Sequence, residues 1–395
     1  MDTSAADDHS DEPLTPVGRL LLQPEMNQII HCAMGFKNSI DIDAVKSHLK
    51  TSLLLSHPRF SSLMLRDSRG LQHWHNAPYV DLDRHIIVIQ NPVTTSPVDH
   101  ETAVNEYLAD LSTSSTRLSA NKPLWELHLL MAHNCGVFRI HHALGDGVSV
   151  MSLFLESFRT RGSDGNEEKI LGRGRRKRVN GEKGWWGLLI GYVGTLWFSL
   201  VFLVEHAMRS LWLCDQKTAI SGGEGVELWP RKLATARFRL QDMKLVKKAV
   251  PNATINDVLV GVVSSGLSRY LDHQTPNALH DGIRITGLAM VNLRKQPGLQ
   301  VASWLLYKMV CNTSFTISNI LGPQEEIAIG GNLVTYLKVN TCSLPQALTM
   351  HMVSYAERAD LQILVAKDII PDPTFLAKCF EEALLDMKEA ASSHE

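Results

Sequence analysis

Residues 141–158 read HHALGDGVSVMSLFLESF, and this stretch concentrates side chains suited to moving a proton. His141 and His142 are adjacent, Asp146 follows four residues after the second, and Gly147 completes an Asp-Gly pair. An imidazole works as a general base near neutral pH when one ring nitrogen is oriented and the other faces a substrate proton. Asp146 would orient such a loop by accepting hydrogen bonds or pairing with an arginine, for which Arg19 and Arg294 are the candidates, and Gly147 removes a side chain where substrate enters. A lone histidine at a strand end more often fills a satisfied structural role; the composite of two histidines, a spaced aspartate and a turn favours chemistry. A metal site is the weaker reading, because no further ligand type sits at a matching spacing and neighbours on a strand point to opposite faces. The chain has no G-x-S-x-G elbow for a serine nucleophile.

The elements around this stretch must deliver it. Pro123, Leu124 and Trp125 open PLWELHLLM, where Trp125, Leu127, Leu129 and Met131 recur with the period of a strand. A turn at His133-Asn134 and a strand over Val137–Ile140 then bring the chain to His141. Val148, Met151, Leu155 and Phe158 predict a helix starting after Gly147, with Asp146 as its cap. Upstream, a strand is expected at Ile29–Phe36, an amphipathic helix over Asp41–Leu55, and a hairpin around Ser68-Arg69-Gly70. Downstream, Thr254 and Asp257 resemble an acidic capping box for a helix with Ile255, Leu259, Val262, Leu267 and Tyr270 on its apolar face. On spacing alone Asn256 and Asp257 read as structural. Strand patterns follow at Ile283–Val291, Cys311–Ser318, Leu333–Val339, Ala347–Ser354 and Leu361–Ala366, the last two joined by a hairpin at Glu357–Asp360. Pro371 and Pro373 introduce a final helix. The fold class is mixed, α/β (α+β), in two domains.

At 395 residues and 44% hydrophobic content, the chain supports two packed cores. Its 39 basic and 41 acidic residues give a formal charge of −2, so there is no global electrostatic case for nucleic acid. The six cysteines are dispersed without a C-x-x-C pair, which argues against zinc, redox and disulfide-scaffold classes. Charge is instead local. RGRRKRVNGEK at residues 173–183 carries six basic residues against one acid, and residues 185–204 follow with no ionisable acid or base. As a helix those twenty residues reach roughly 30 Å, the thickness of bilayer hydrocarbon. A membrane role is favoured over a buried core helix, although Gly187, Gly191 and Gly194 also suit tight packing within a protein. The resulting division is an acidic disordered tail at 1–13, a first half at 14–165, a basic linker and apolar segment at 166–215, and a second half at 216–395.

HHALGDG resembles the HHxxxDG signature of acyl-CoA-dependent acyltransferases with the two-domain chloramphenicol acetyltransferase-like fold. With PLWEL eighteen residues upstream, and with PLTP, HPRFSSL and the central apolar segment, the sequence is similar to the plant-type wax ester synthase/diacylglycerol acyltransferase family. The resemblance implies two α/β halves facing each other across a tunnel, acyl-CoA entering from one mouth and the alcohol from the other. It makes His142 the general base in a catalytic set with His141, Asp146 and Gly147, in which Asp146 shapes the loop and His141 is a neighbour of the base. Pro123, Leu124 and Trp125, the Asn256-Asp257 motif, and Ser318 and Asn319 of SNILGP become supports of the site. It implies a fatty acyl-CoA substrate and a long-chain alcohol or diacylglycerol acceptor, no cofactor or metal, and contact with membrane lipid. The expected location is the endoplasmic reticulum membrane with a cytosolic active site, with the plasma membrane as an additional location. Because both halves must share one side of the membrane, an interfacial or re-entrant segment suits residues 185–204 better than a lone span. The family's long stretch after VNLRKQPGLQ is missing, so the second half is shortened. The competing reading is a catalytically impaired, membrane-associated acyl-CoA or lipid-binding isoform.

Overall fold

A computed structural model describes residues 12–15, 18–19, 21–23, 27–68, 70–77, 79–94, 98–113, 117–145, 147–158, 185–276, 284–289, 307–342 and 344–393. Asp146, Arg294, the basic block at 173–183 and the junction after VNLRKQPGLQ lie outside these residues.

The first half is built on a sheet that includes β2 (Ile29–Phe36), β5 (Ile86–Ile89), β6 (Trp125–Leu130) and β7 (Cys135–His141), numbering the short β1 (Glu12–Pro13), β3 (Ser62–Arg66) and β4 (Gln72–Asn76) in chain order. β1, β4 and β3 form a separate small sheet. Glu12 and Pro13, assigned by sequence to the acidic tail, are therefore ordered, and Glu12 pairs with Arg59 at 2.8 Å. The expected helix over Asp41–Leu55 divides into α1 (Ile42–Lys50) and α2 (Leu53–Ser56). The break falls where the Ser52 hydroxyl donates to the Leu49 carbonyl, 2.7 Å away, a side-chain bond that competes with helix continuation. Every residue of β2, β6 and β7 is buried. One face carries Ile30, Met34, Leu127, Phe138 and Ile140 into the main core; the other carries a buried polar layer in which Arg139 donates to Glu126 at 2.7 Å.

The second half contains β8 (Arg231–Arg239), β9 (Gly287–Ala289), β10 (Phe315–Leu321), β11 (Ala328–Ile329), β12 (Asn332–Thr341), β13 (Leu348–Tyr355) and β14 (Arg358–Ala366). Its sheet has the order β8-β14-β13-β10-β9. β12 leaves it and joins the first-half sheet beside β2, with Thr341 opposite Ile30, in the order β11-β12-β2-β7-β6-β5. Sequence places a strand at Leu333–Val339 but not its partner. Three expectations shift, the first being the strand expected at Ile283–Val291, which among the described residues is only Gly287–Ala289. Cys311 lies in a helical turn and its strand begins at Phe315. The β13–β14 hairpin turns at Ala356-Glu357, both with positive φ.

The second-half sheet has two chemically different faces. Ile317, Met350, Met352, Leu361 and Ile363 belong to a separate apolar core with the flanking helices at Ile255–Gln274 and Pro373–Ser392. The alternate residues on the same strands include Thr316, Ser318, Thr349, His351 and Gln362, while Ile320 and Val353 of that face join the first-half core. Period-two alternation thus turns the polar face toward the first half.

An ionic cluster also ties the halves. Lys338 on β12, with its side chain 4% exposed, pairs with Glu101 at 2.6 Å, and Arg237 on β8 pairs with the same carboxylate. Glu101→Ala removes the ion-pair partner of the buried Lys338 ammonium and leaves Asp360 as the nearby carboxylate, so the urea unfolding free energy is expected to fall by about 2 kcal/mol.

Residues Trp185–Leu211 form one helix. Tyr192, Trp197 and Phe198 are 61–73% exposed, which overturns the core-helix alternative. Among the described residues no helix is long and apolar enough to cross a membrane.

Candidate active site

The hairpin of β6 and β7 turns through Asn134, which adopts the left-handed conformation at φ 46°, and runs to His141. The His141 ring is fully engaged. Its Nδ1 accepts the Ala143 N–H at 3.1 Å, which leaves the proton on Nε2 to be donated to Asn27 Oδ1 at 3.0 Å. Burial, followed by the proximity of His142, lowers it to about 3. A neutral ring with both nitrogens occupied holds the turn; it is not available as a base.

His142 opens the 3-10 turn His142–Leu144 and anchors it by donating its N–H to the Gln28 carbonyl at 2.9 Å. The residue is half-buried and close enough to His351 of the second half to act on its charge. Gly145 continues the chain to the helix at Gly147–Phe158, as the apolar period predicts. At Gly147 a Cβ would lie 3.3 Å from the Ile320 side chain, so the loop carrying His142 approaches the SNILGP strand closely. The capping role expected of Asp146 falls outside the described residues. Gly18 sits against Ala143 of the same turn, and the neighbouring Arg19 has a buried Nε with no partner among the described residues.

The supporting motifs divide by what they touch. The Leu124 carbonyl accepts the His141 N–H at 2.9 Å, which couples PLW directly to the histidine pair. Trp125 is fully buried, donates from its indole to the Phe60 carbonyl at 2.9 Å and stacks on His85 at 4.0 Å. Pro123 accepts at its carbonyl from the Trp125 N–H, 2.7 Å away. On the other side, Asp257 closes the capping box with Thr254. Asn256 accepts from the Asn319 amide at 2.6 Å. Asn319 therefore ties the sheet to the helix behind it, while Ser318, one residue earlier, takes the opposite, inner face. Gly322 is required by contact: a Cβ there would fall 2.2 Å from the Ser354 carbonyl oxygen.

One residue escaped the sequence reading. His351 on β13 pairs in register with Ser318 and lies on the inner face with it. Burial, then the proximity of His142, lowers it to about 4. Within LTMHMVSY, a single histidine among apolar residues has the pattern of a core position, and only the strand order shows that it meets the other half.

These buried histidines dictate an acid sensitivity. His141 at about 3, and His351 and His85 at about 4, stay neutral when folded but take up protons near 6.5 when unfolded. The unfolded chain then binds more protons, so stability is complete above pH 6.5 and falls as the pH drops toward 4. Denaturant titrations between pH 7.5 and 4.5 should show a midpoint that is flat down to about pH 6.5 and falls below it, approaching a slope of about 1.4 kcal/mol per pH unit for each fully contributing group.

Comparison with known proteins covers nearly the whole chain. The wax ester synthase/diacylglycerol acyltransferase catalytic domain matches residues 41–259, and the WS/DGAT C-terminal domain matches residues 284–388. Wax ester synthase/diacylglycerol acyltransferase 4 of Arabidopsis thaliana is 28% identical over 498 aligned positions, covering 99% of this chain and 92% of the relative. Number 9 from the same plant is 29% identical, covering 97% and 96%. Those alignments are longer than the 395 residues of this chain, so the relatives carry segments that it lacks. The solved wax ester synthase/diacylglycerol acyltransferase from Marinobacter aquaeolei VT8 superposes with a TM-score of 0.62 at 16% identity, covering 96% of this chain and all of that one. The first condensation domain of the CDA synthetase gives 0.52 at 11% identity, covering 98% and 97%. The fold is thus the two-domain CoA-dependent acyltransferase fold.

Proposed function

Because the chain belongs to the wax ester synthase/diacylglycerol acyltransferase family, we propose that it is an O-acyltransferase that moves a fatty acyl group from acyl-CoA to a long-chain alcohol or diacylglycerol. The observation that carries this reading is the division of labour in the histidine pair. His141 is locked as a neutral strut, and His142 follows it on a turn pressed against the second half. His142 takes the hydroxyl proton as the acceptor oxygen attacks the thioester carbonyl, then returns it to the CoA thiolate as the intermediate collapses. No acyl-enzyme is needed.

The products are too apolar to leave into water, which suits attachment to a membrane. The helix Trp185–Leu211, whose described large apolar residues from Tyr192 onward are exposed, follows in sequence on the basic block at 173–183, a pairing that fits an interfacial helix against anionic head groups. The endoplasmic reticulum, with both halves on the cytosolic side, is the location we propose. The Asn312 side chain, part of an Asn-Thr-Ser sequon, donates to the Arg209 carbonyl at 2.6 Å and is therefore occupied within the fold.

Labelled palmitoyl-CoA supplied with hexadecanol or with diacylglycerol tests the proposal. Labelled wax ester or triacylglycerol supports it. Binding without product supports the impaired lipid-binding reading, which rests on the segments that the aligned relatives carry and this chain lacks.

A further inference from the structure

Resting on the acyltransfer reading above, we propose that His351 is a second catalytic residue, donating from Nδ1–H to the thioester carbonyl oxygen and holding the oxyanion formed when the acceptor attacks. Its position is fixed from two sides. On β10 its register partner is Ser318, and two residues further along the same face Ile320 meets Gly147 of the loop that carries His142. On β12, the Thr341 hydroxyl lies 3.4 Å from His351 Nε2. Thr341 pairs with Ile30, and the next residue, Cys342, receives Ile29 N–H at its sulfur and donates that sulfur's hydrogen to the Asn27 carbonyl. Asn27 is the residue that fixes the His141 ring, so the two halves deliver their histidines to one patch.

The tautomer follows from the partners. Among the described residues, the buried Thr341 hydroxyl has the Nε2 of His351 as its hydrogen-bond partner, and we assign the hydroxyl as the donor. Accepting that proton leaves the ring hydrogen on Nδ1. His351 is 5% exposed, and its Nδ1 has no partner among the described residues. A buried donor without an acceptor is costly to maintain, and a ligand carbonyl at this position would satisfy it. A neutral imidazole that donates to a carbonyl polarises it while remaining neutral itself.

The step balances. The acceptor oxygen bonds to the carbonyl carbon, its proton passes to His142, and the carbonyl π pair becomes the oxyanion that His351 holds. Re-forming the carbonyl breaks the carbon–sulfur bond, and the CoA thiolate takes the proton from His142. A donor placed where charge develops stabilises the transition state more than the ground state.

Two amide replacements separate this role from packing. His351→Asn puts an N–H near the Nδ1 position, whereas His351→Gln puts its amide near Nε2, retains contact with Thr341 and supplies no donor to the carbonyl. Isotope-edited infrared spectra of bound palmitoyl-CoA, recorded without acceptor, read the thioester carbonyl directly. The expected result is a lowered carbonyl frequency in wild type and His351→Asn, a return toward the free value in His351→Gln, and a kcat in His351→Gln reduced by about 10²–10³ with palmitoyl-CoA affinity little changed. An unshifted carbonyl in wild type, equal losses in both variants, or full activity in His351→Gln overturns the assignment. Failure of wild type to bind palmitoyl-CoA would instead overturn the acyltransferase reading on which it rests.

Discussion

His142→Gln is expected to lower the rate of ester formation by about 10²–10⁴, the contribution of a positioned general base, with palmitoyl-CoA binding retained. Glutamine keeps the volume and polarity of the side chain but cannot accept and return a proton. The backbone anchor from His142 N–H to the Gln28 carbonyl does not depend on the side chain, so the turn should survive. His141→Gln makes the informative contrast. Its ring is held by the Ala143 N–H and Asn27, so replacing it should disturb stability and loop geometry together. Steady-state kinetics beside a thermal melt of each variant distinguish the two. A His142 variant that melts like wild type and has lost turnover fits the assignment; equal activity in His142→Gln and wild type removes it.

Trp125→Ala is expected to cost about 3–5 kcal/mol of folding stability, the range for deleting a fully buried aromatic side chain. The indole does more than fill volume. It bonds to Phe60, stacks on His85 and contacts Phe138, which in turn meets Phe154 of the helix following the catalytic loop. Trp125→Phe retains much of the packing but orphans the Phe60 carbonyl, so a smaller loss is expected. Urea titrations of the two variants measure both. If Trp125→Ala unfolds at the wild-type midpoint, PLW does not anchor this core.

Much of this architecture is legible in the chain. Alternating apolar residues in PLWELHLLM and the helical period after Gly147 predict the strand-loop-helix junction at its observed place. The Thr254-Asp257 capping box is legible because its chemistry is local. What the sequence withholds is pairing between distant segments. A strand pattern at Leu333–Val339 carries no sign that β12 crosses to the other sheet, since alternation specifies a face and not a neighbour. The same limit hides the Asn256–Asn319 bond, which spans 63 residues, and the separation of Ser318 from Asn319 onto opposite faces. It hides His351 for the same reason. The helix after Trp185 is readable from its length, but that its flank is exposed follows only from the packing of the rest.

The most direct test of direct acyl transfer at a site shared by the two halves is a stoichiometry. Purified protein on anionic vesicles is given labelled palmitoyl-CoA and hexadecanol or diacylglycerol, and released CoA and labelled ester are counted in the same reaction. One CoA released per ester formed, with release dependent on the acceptor, is the predicted result. Palmitoyl-CoA that binds without yielding ester, or CoA released at the same rate without acceptor, would contradict it.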